Sequence, residues 1–230
     1  MREIVLDTET TGFEPSEGDR IVEIGAVELY NHMPTGKVYH QYINPQRSMP
    51  QSAFEVHGLG DEFLADKPVF AAIVDEFVEF VGDAKLVIHN AAFDMKFLNA
   101  ELGWANKPLL PMDQALDTLA IARKKFPGSP ASLDALCRRF GVDNSAREKH
   151  GALLDSEILA EVYLELIGGQ QPGLELGART ASAGAGVAGQ AQRVAARPTP
   201  LPPRITDTEK AAHAAFVEKL GDGALWAKAR

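Results

Sequence analysis

Two acidic residues stand two positions apart near the start of the chain, directly after a short apolar run. Residues 4–6 (Ile-Val-Leu) are typical of a buried strand, and Asp7 and Glu9 follow in the segment DTETTG. Side chains two apart on a strand point to the same face, so both carboxylates should point the same way. Two adjacent carboxylates repel each other and lose solvation near a core, so a nearby cation would stabilise them. Taken alone, the motif also fits two solvated acids at a strand end.

Three further titratable residues lie where predicted elements begin. Asp94 follows a predicted strand over 85–89, in the segment HNAAFD, and begins a helix. His150 and Asp155 open the last long helix, in the segment HGALLD. Taken singly, each acid could complement the dipole of a helix N-terminus, and the histidine could be a surface residue. Residues at the edges of regular elements can, however, be assembled into one pocket.

Together, the four carboxylates point to metal-dependent phosphoryl chemistry. Carboxylate oxygens are the ligands that Mg²⁺ and Mn²⁺ prefer, and the sequence offers neither a cysteine cluster nor a histidine cluster for structural zinc. Two such ions, about 3.5–4 Å apart, can hold the attacking and leaving oxygens of an in-line displacement. His150 could then accept a proton from the attacking water.

The elements that must position these residues form an α/β pattern. Segments 20–30 and 37–44 alternate apolar and polar residues and, with the first strand, predict an antiparallel meander with a bulge at Gly25. Residues 45–66 are predicted to be irregular. Apolar spacing and breaker residues predict helices over 68–82, 93–102, 117–126, 132–140 and 153–167, and a strand or turn near 109–112.

The composition sets limits on the class of protein. The chain of 230 residues is 45% hydrophobic, which is enough for one good-sized domain and an additional segment. Its net charge of −9 argues against a generally basic nucleic-acid binder, although an acidic site could still grip phosphates through metal ions. The single cysteine, Cys137, excludes a disulfide framework and fits a reducing compartment. With no apolar run as long as a membrane span and no signal peptide, we expect a soluble, cytoplasmic protein.

The composition changes at Gly168. Residues 168–204 are rich in Gly, Ala and Pro, which predicts a flexible linker. Thr206 or Asp207 can then cap a short helix that carries Phe216 and Leu220. The sequence thus predicts three parts, 1–167, 168–204 and 205–230.

The segments DTETTG, HNAAFD and HGALLD, in this order and spacing, resemble the three motifs of the DEDDh family of 3′→5′ exonucleases. The resemblance runs continuously to about residue 167 and is strongest to the proofreading subunits of bacterial replicative polymerases. It implies a ribonuclease H-like fold, a mixed sheet flanked by helices. It also implies two divalent ions, Mg²⁺ or Mn²⁺, a histidine base at His150, and metal ligation by Asp7, Glu9, Asp94 and Asp155.

The resemblance further implies residues that bind the DNA 3′ end and segments that bind protein partners. Ser52 takes a position where relatives can carry an acid. The segment 171–176, Gln-Pro-Gly-Leu-Glu-Leu, is similar to a sliding-clamp-binding motif, and 205–230, which includes Leu225 and Trp226, would bind the polymerase subunit. The substrate-binding residues expected in this way are Asp7, Thr8, Glu9, Ser52, Val56, His57, Phe93 and Asp155.

The implied activity is removal of mispaired 3′-terminal nucleotides from DNA within the bacterial replisome. An RNA-trimming exonuclease of the same family would share every catalytic residue, but it would not need the linker and C-terminal helix. A non-catalytic adaptor between polymerase and clamp is an alternative of another class. The complete set of catalytic residues argues against that adaptor.

Overall fold

A computed structural model describes residues 1–145, 149–168 and 205–220, which fall into two units, Met1–Gly177 and Ala178–Arg230. Among these described residues no helix is both long and apolar enough to cross a membrane. The strands and helices are, in chain order, β1 (Arg2–Thr10), β2 (Ile21–Tyr30), β3 (Met33–Tyr42), α1 (Gln51–His57), α2 (Asp61–Leu64), α3 (Phe70–Val81), β4 (Lys85–Ile88), α4 (Ala91–Trp104), β5 (Ala115–Asp117), α5 (Thr118–Lys125), α6 (Leu133–Phe140), α7 (Ala152–Ile167) and α8 (Asp207–Lys219).

The five strands form one mixed sheet in the order β3-β2-β1-β4-β5. β1 pairs antiparallel with β2 and parallel with β4, and β2 pairs antiparallel with β3. The predicted meander and the predicted mixed sheet flanked by helices are therefore confirmed. The predicted bulge at Gly25 is wrong, because the register shift of β1 against β2 falls between Glu9 and Thr10.

Each face of the sheet carries its own apolar core. Ile4 and Leu6 of β1 belong to the larger core, which includes residues of α3 and α4. Val5 belongs to a second core on the other face, with Leu159 and Tyr163 of α7. The strict alternation along β1 places its odd-numbered residues on the α7 side and its even-numbered residues on the α4 side.

Most of the predicted helices are observed within one or two residues of their predicted ends. Ser132 caps α6 by accepting a hydrogen bond from the Ala135 amide, and Gly141 ends this helix in the left-handed conformation. The prediction that residues 45–66 are irregular is wrong, because α1 and α2 form there. The last strand, β5, lies after the predicted position near 109–112.

The described part of the second unit is α8. Of the two predicted capping residues, Thr206 and Asp207, Thr206 is the N-cap, and with Glu209 it forms a reciprocal capping box. Phe216 and Leu220 are 60% and 45% exposed. Residues 169–204 of the predicted linker over 168–204, which include the segment 171–176, lie outside the described residues, and so do Leu225 and Trp226.

Candidate active site

The end of β1 presents acidic side chains to the face covered by α7. The Tyr163 hydroxyl of α7 donates a hydrogen bond to Glu3 at 2.6 Å, which fixes the face of the odd-numbered residues. The register is unbroken from Arg2 to Glu9, so Asp7 and Glu9 continue on that same face. Glu9 is only 8% exposed, so it is not a solvated acid at a strand end, which was the alternative interpretation of the motif.

Asp155 reaches this face because α7 begins directly above Gly25, the β2 residue that pairs with Asp7. A Cβ atom on Gly25 would lie 2.1 Å from the Leu153 nitrogen and 2.2 Å from the Ala152 carbonyl carbon. Only glycine admits this close approach of helix and strand. The Ser156 hydroxyl then donates to the Gly25 carbonyl at 2.8 Å, and Asp155 is buried, at 3% exposed.

Asp94 approaches from the opposite side and is held by Thr8. The Thr8 hydroxyl donates to the Asp94 carboxylate at 2.7 Å and the Thr8 amide donates to the same oxygen at 3.1 Å. Burial raises the pKa of Asp94 to about 7, while the hydrogen bonds from Thr8 oppose that rise. A buried carboxylate with so high a pKa fits a position that a cation would stabilise.

His150 lies just before α7, beside Asp155. Its Nδ1 is 3.2 Å from the Asp155 Oδ2, and its side chain is 50% exposed. One ligand atom each from Glu9, His150 and Asp155 lie within 4.8 Å of one another, and among the described residues this is the group of three that could hold a metal ion.

All five predicted catalytic and metal-binding residues line one cleft of about 480 Å³. β1 supplies Asp7 and Glu9, α4 supplies Asp94, and the start of α7 with its preceding loop supplies Asp155 and His150. Its carboxylate-rich lining fits divalent cations, whose hard ligands are oxygens.

A second, smaller cavity of about 150 Å³ shares Thr8, Glu9 and Phe93 with the cleft. The residues predicted to approach the terminal nucleotide, Ser52, Val56 and His57, all lie on α1 and line this cavity. His57 is buried, its Nδ1 accepts a hydrogen bond from the Leu59 amide at 3.0 Å, and burial lowers the pKa of the imidazole. His57 is therefore held neutral and offers the cavity a flat, uncharged surface.

Sequence reasoning missed two residues at this site. Phe13 lines the smaller cavity, is 81% exposed, and packs edge-on to Phe93 with the ring centroids 6.4 Å apart. Its position directly after Gly12, in an exposed turn, was the available signal. Arg123 of α5 lines the larger cleft, and nothing in its local sequence indicates this.

A cleft lined by the four predicted carboxylates and His150 at the end of the central strand of a mixed sheet defines a metal-dependent hydrolase of phosphate esters. The comparisons with known proteins narrow that class. Residues 4–163 match the model of the family described as Exonuclease, so the chain belongs to this exonuclease family, as the three motifs predicted.

Curated relatives agree with this assignment. DNA polymerase III subunit epsilon of Rickettsia felis is 56% identical over 179 residues, covering 76% of this chain and 78% of the relative. The protein of the same name from Escherichia coli K12 is 46% identical over 241 residues, covering 98% and 97%. Among solved structures, the nuclease domain of 3′hExo, described as a DEDDh family member, superposes with a TM-score of 0.61 at 17% identity, covering 72% of this chain and 91% of that one, which shows a shared fold.

Proposed function

We propose that this chain is the epsilon-type proofreading subunit of a bacterial DNA polymerase III, a 3′→5′ exonuclease that removes mispaired terminal nucleotides from DNA. The observation that carries the proposal is the convergence of Asp7, Glu9, Asp94, His150 and Asp155 on one cleft. The curated relatives named as epsilon subunits support the polymerase assignment.

Asp7, Glu9, Asp94 and Asp155 would hold two divalent ions, Mg²⁺ or Mn²⁺. When bound, such ions supply positive charge that binds phosphate oxygens and favours ionisation of a coordinated water. The protein supplies the ligand geometry, through the strand alternation of β1, the Thr8–Asp94 hydrogen bonds and the close contact of α7 with Gly25. Arg123 supplies a further positive charge to the lining of the cleft.

His150 is the proposed base that takes the proton of the attacking water. Its imidazole is half exposed at the cleft and contacts Asp155, so it can exchange protons with solvent between turnovers. The phosphodiester bond to the terminal nucleotide breaks, the water oxygen stays on the phosphate, and the released 3′ oxygen of the shortened strand takes up a proton.

The smaller cavity would seat the terminal nucleotide. Val56 and Phe93 present apolar surface, while the neutral His57 gives no charge that would hold a phosphate tightly. The exposed ring of Phe13 could stack on an unpaired base. A terminal base must separate from its partner to enter, which favours frayed or single-stranded ends.

The segments beyond the nuclease unit would serve assembly. We propose that 205–230 binds the polymerase III alpha subunit and that 171–176 binds the sliding clamp. The nuclease domain would span 1–167, and the linker over 168–204, which contains 171–176, would connect it to 205–230. Such assembly would place the chain in the cytoplasmic replisome at the nucleoid, where the partner proteins supply the DNA affinity that its net charge of −9 disfavours.

Digestion of matched and mispaired DNA primer ends, with Mg²⁺ and with or without the polymerase subunit, tests the proposal. We expect faster removal of a mispaired than of a matched terminal nucleotide, and loss of activity with a chelator. An RNA oligomer of the same sequence belongs in the same experiment. A strong preference for RNA would contradict the proofreading function, and would assign the site to an RNA-trimming exonuclease instead.

A further inference from the structure

The residues just before α7 rest on the C-terminal end of α1. The Lys149 ammonium lies 5.1 Å from the centroid of the Phe54 ring, within the range of a cation–π contact. The His150 amide donates to the Val56 carbonyl at 3.2 Å. Two consecutive residues thus bind the same helix end, one by its side chain and one by its backbone.

The backbone of Gly58 makes room for this contact. A Cβ atom on Gly58 would lie 2.9 Å from the Lys149 Cδ and 3.0 Å from its Nζ, so the lysine stem crosses directly over the glycine. Gly58 also has a φ of +76°, a backbone conformation that other residues adopt at a cost. The end of α1 is therefore shaped to receive the Lys149 side chain.

We propose that Lys149 is a positioning residue that fixes His150 through its contact with Phe54. This proposal rests on the proposed role of His150 as the base. The His150 side chain is half exposed, and its imidazole contacts Asp155. The tether to α1 consists of the Lys149–Phe54 contact and the hydrogen bond from the His150 amide to the Val56 carbonyl, and it fixes the backbone of His150. Because small displacements of a catalytic group reduce the rate strongly, fixing this backbone should matter for activity.

The tether also connects the proposed base, His150, to the smaller cavity that is proposed to bind the terminal nucleotide. Ser52, Val56 and His57 lie on the same seven-residue helix that holds Lys149 and His150. A terminal nucleotide that binds against α1 would thereby reduce the mobility of α1, which positions His150. Binding of the nucleotide and the activity of His150 would therefore be coupled through α1.

Substitutions on either side of the contact separate positioning from simple charge attraction to DNA. K149M keeps the lysine stem over Gly58 but removes the cation, and F54L removes the ring but keeps the cation. We expect each to lower the single-turnover rate at saturating enzyme about two- to five-fold, which is the ratio expected for the loss of one exposed cation–π contact. The double variant should be no slower than either single variant, and K149R, which preserves the cation over the ring, should stay within about two-fold of wild type.

K67M is a matched control, because Lys67 lies 4.6 Å from the Phe63 ring centroid on α2 but lines neither the cleft nor the smaller cavity. Its single-turnover rate should equal that of the wild type. A second readout is hydrogen exchange at the His150 amide, which should be faster in K149M and F54L and unchanged in K67M, whatever the activity of the variants.

The outcomes distinguish this proposal from the one on which it rests. If K149M weakens binding of the DNA 3′ end while F54L does not, and neither changes the single-turnover rate, Lys149 acts through its charge and the positioning role is wrong. If H150A retains the wild-type rate, the proposed base itself is wrong. If H150A loses activity but both tether variants keep full rates and normal exchange at His150, only the positioning role fails.

Discussion

At the scale of single residues, neighbouring positions of β1 contribute to the site from opposite faces of the sheet. Asp7 and Glu9 point to the α7 face, whereas Thr8 between them points to the α4 face and binds Asp94. One strand end therefore orients three of the four carboxylates, two directly and one through a hydroxyl. The orientation of these three carboxylates therefore follows from strand alternation.

Replacing Asp155 by Asn should abolish hydrolysis without unfolding the chain. The amide has nearly the same shape as the carboxylate but no negative charge for a cation, so we expect a loss on the order of 10³-fold or more in rate. Asp113→Asn is the control, since Asp113 is exposed and lies outside the cleft. Steady-state degradation of a 3′-labelled oligonucleotide measures both, with circular dichroism to verify folding. Activity in D155N close to wild type would refute the metal assignment.

Replacing Thr8 by Val should shift the pH dependence of activity upward. Metal binding at the proposed site requires the ionised form of Asp94, and burial raises the pKa of this carboxyl, so activity of the wild type should fall at acidic pH as protons compete with the metal. Valine preserves the volume of Thr8 but removes a hydroxyl that lowers the pKa of Asp94. The T8V profile should therefore require a higher pH, with rates at alkaline pH close to wild type. Rates measured across pH at fixed Mg²⁺ test this, and an equal loss at every pH would contradict it.

The raised pKa of Asp94 also predicts how the stability of the metal-free chain depends on pH. Its pKa in the folded state lies above the ordinary 3.8, so folding favours the protonated form. The stability that Asp94 contributes is fully present below pH 3.8 and is lost as pH rises through about 7. In a chelator, thermal melting should occur at a lower temperature at about pH 8 than at about pH 5, and Mg²⁺ should restore more of the difference at the higher pH. A melting temperature in chelator that rises over this interval would show that other groups dominate.

At the scale of elements, the contact of α7 with β2 determines where Asp155 lies. The helix begins so close to Gly25 that a single methyl group there would collide with the backbone of Ala152 and Leu153. Since the colliding atoms are backbone, relief requires movement of the helix start. Asp155 and the preceding His150 would move with it.

Gly25→Ala should therefore reduce both stability and activity. Forced overpacking of this kind costs about 1–3 kcal/mol of unfolding free energy. Gly103→Ala is the matched control, because a Cβ atom there would meet only a side-chain atom of Leu109 at 3.9 Å, within α4. Alanine at that helical position should be neutral or stabilise by up to about 1 kcal/mol. Denaturant unfolding gives the free energies, and equal stability of the two variants would contradict the proposed close contact.

The sequence predicted elements whose signals are local and missed features that depend on tertiary contact. α3 was predicted because its apolar spacing lies between Pro68 and the terminal Gly82, and α6 because Ser132 caps it and Gly141 ends it. α1 was missed because it has only seven residues, no side-chain cap and mostly exposed positions. Gly25 was interpreted as a bulge because a glycine in a strand can indicate either a bulge or a close approach, and the approaching helix begins more than 120 residues later.

The candidate site likewise contains residues that local motifs predicted and contacts that the sequence could not predict. The motifs around Asp7, Asp94 and Asp155 indicated carboxylates at element ends, and these residues line one cleft. The role of Thr8 as a hydrogen-bond donor to Asp94 was not predictable, since those two residues are 86 positions apart. Neither was the tether from Lys149 to Phe54, which depends on a helix that the sequence did not indicate.

At the scale of the whole molecule, the cleft belongs entirely to the unit Met1–Gly177, and the apolar cores of the described residues lie within residues 4–166. The net charge of −9 gives the chain no general attraction for DNA. A proofreading nuclease built in this way would depend on its partners for access to the primer end. Hydrolysis and assembly should then be separable by substitution.

Replacing Phe216 and Leu220 together by Ser tests that separation in the full chain. Both side chains are exposed on the described part of the second unit, at 60% and 45%, and such apolar surface is typical of a site that binds another protein. We expect the variant to lose binding to the polymerase alpha subunit at least ten-fold, while its degradation of single-stranded DNA stays at the wild-type rate. Lys210→Ser is the control, because it removes an exposed polar side chain from the same helix. Binding is measured by titration with purified alpha subunit, and full affinity in the double variant would exclude these two residues from the polymerase interface.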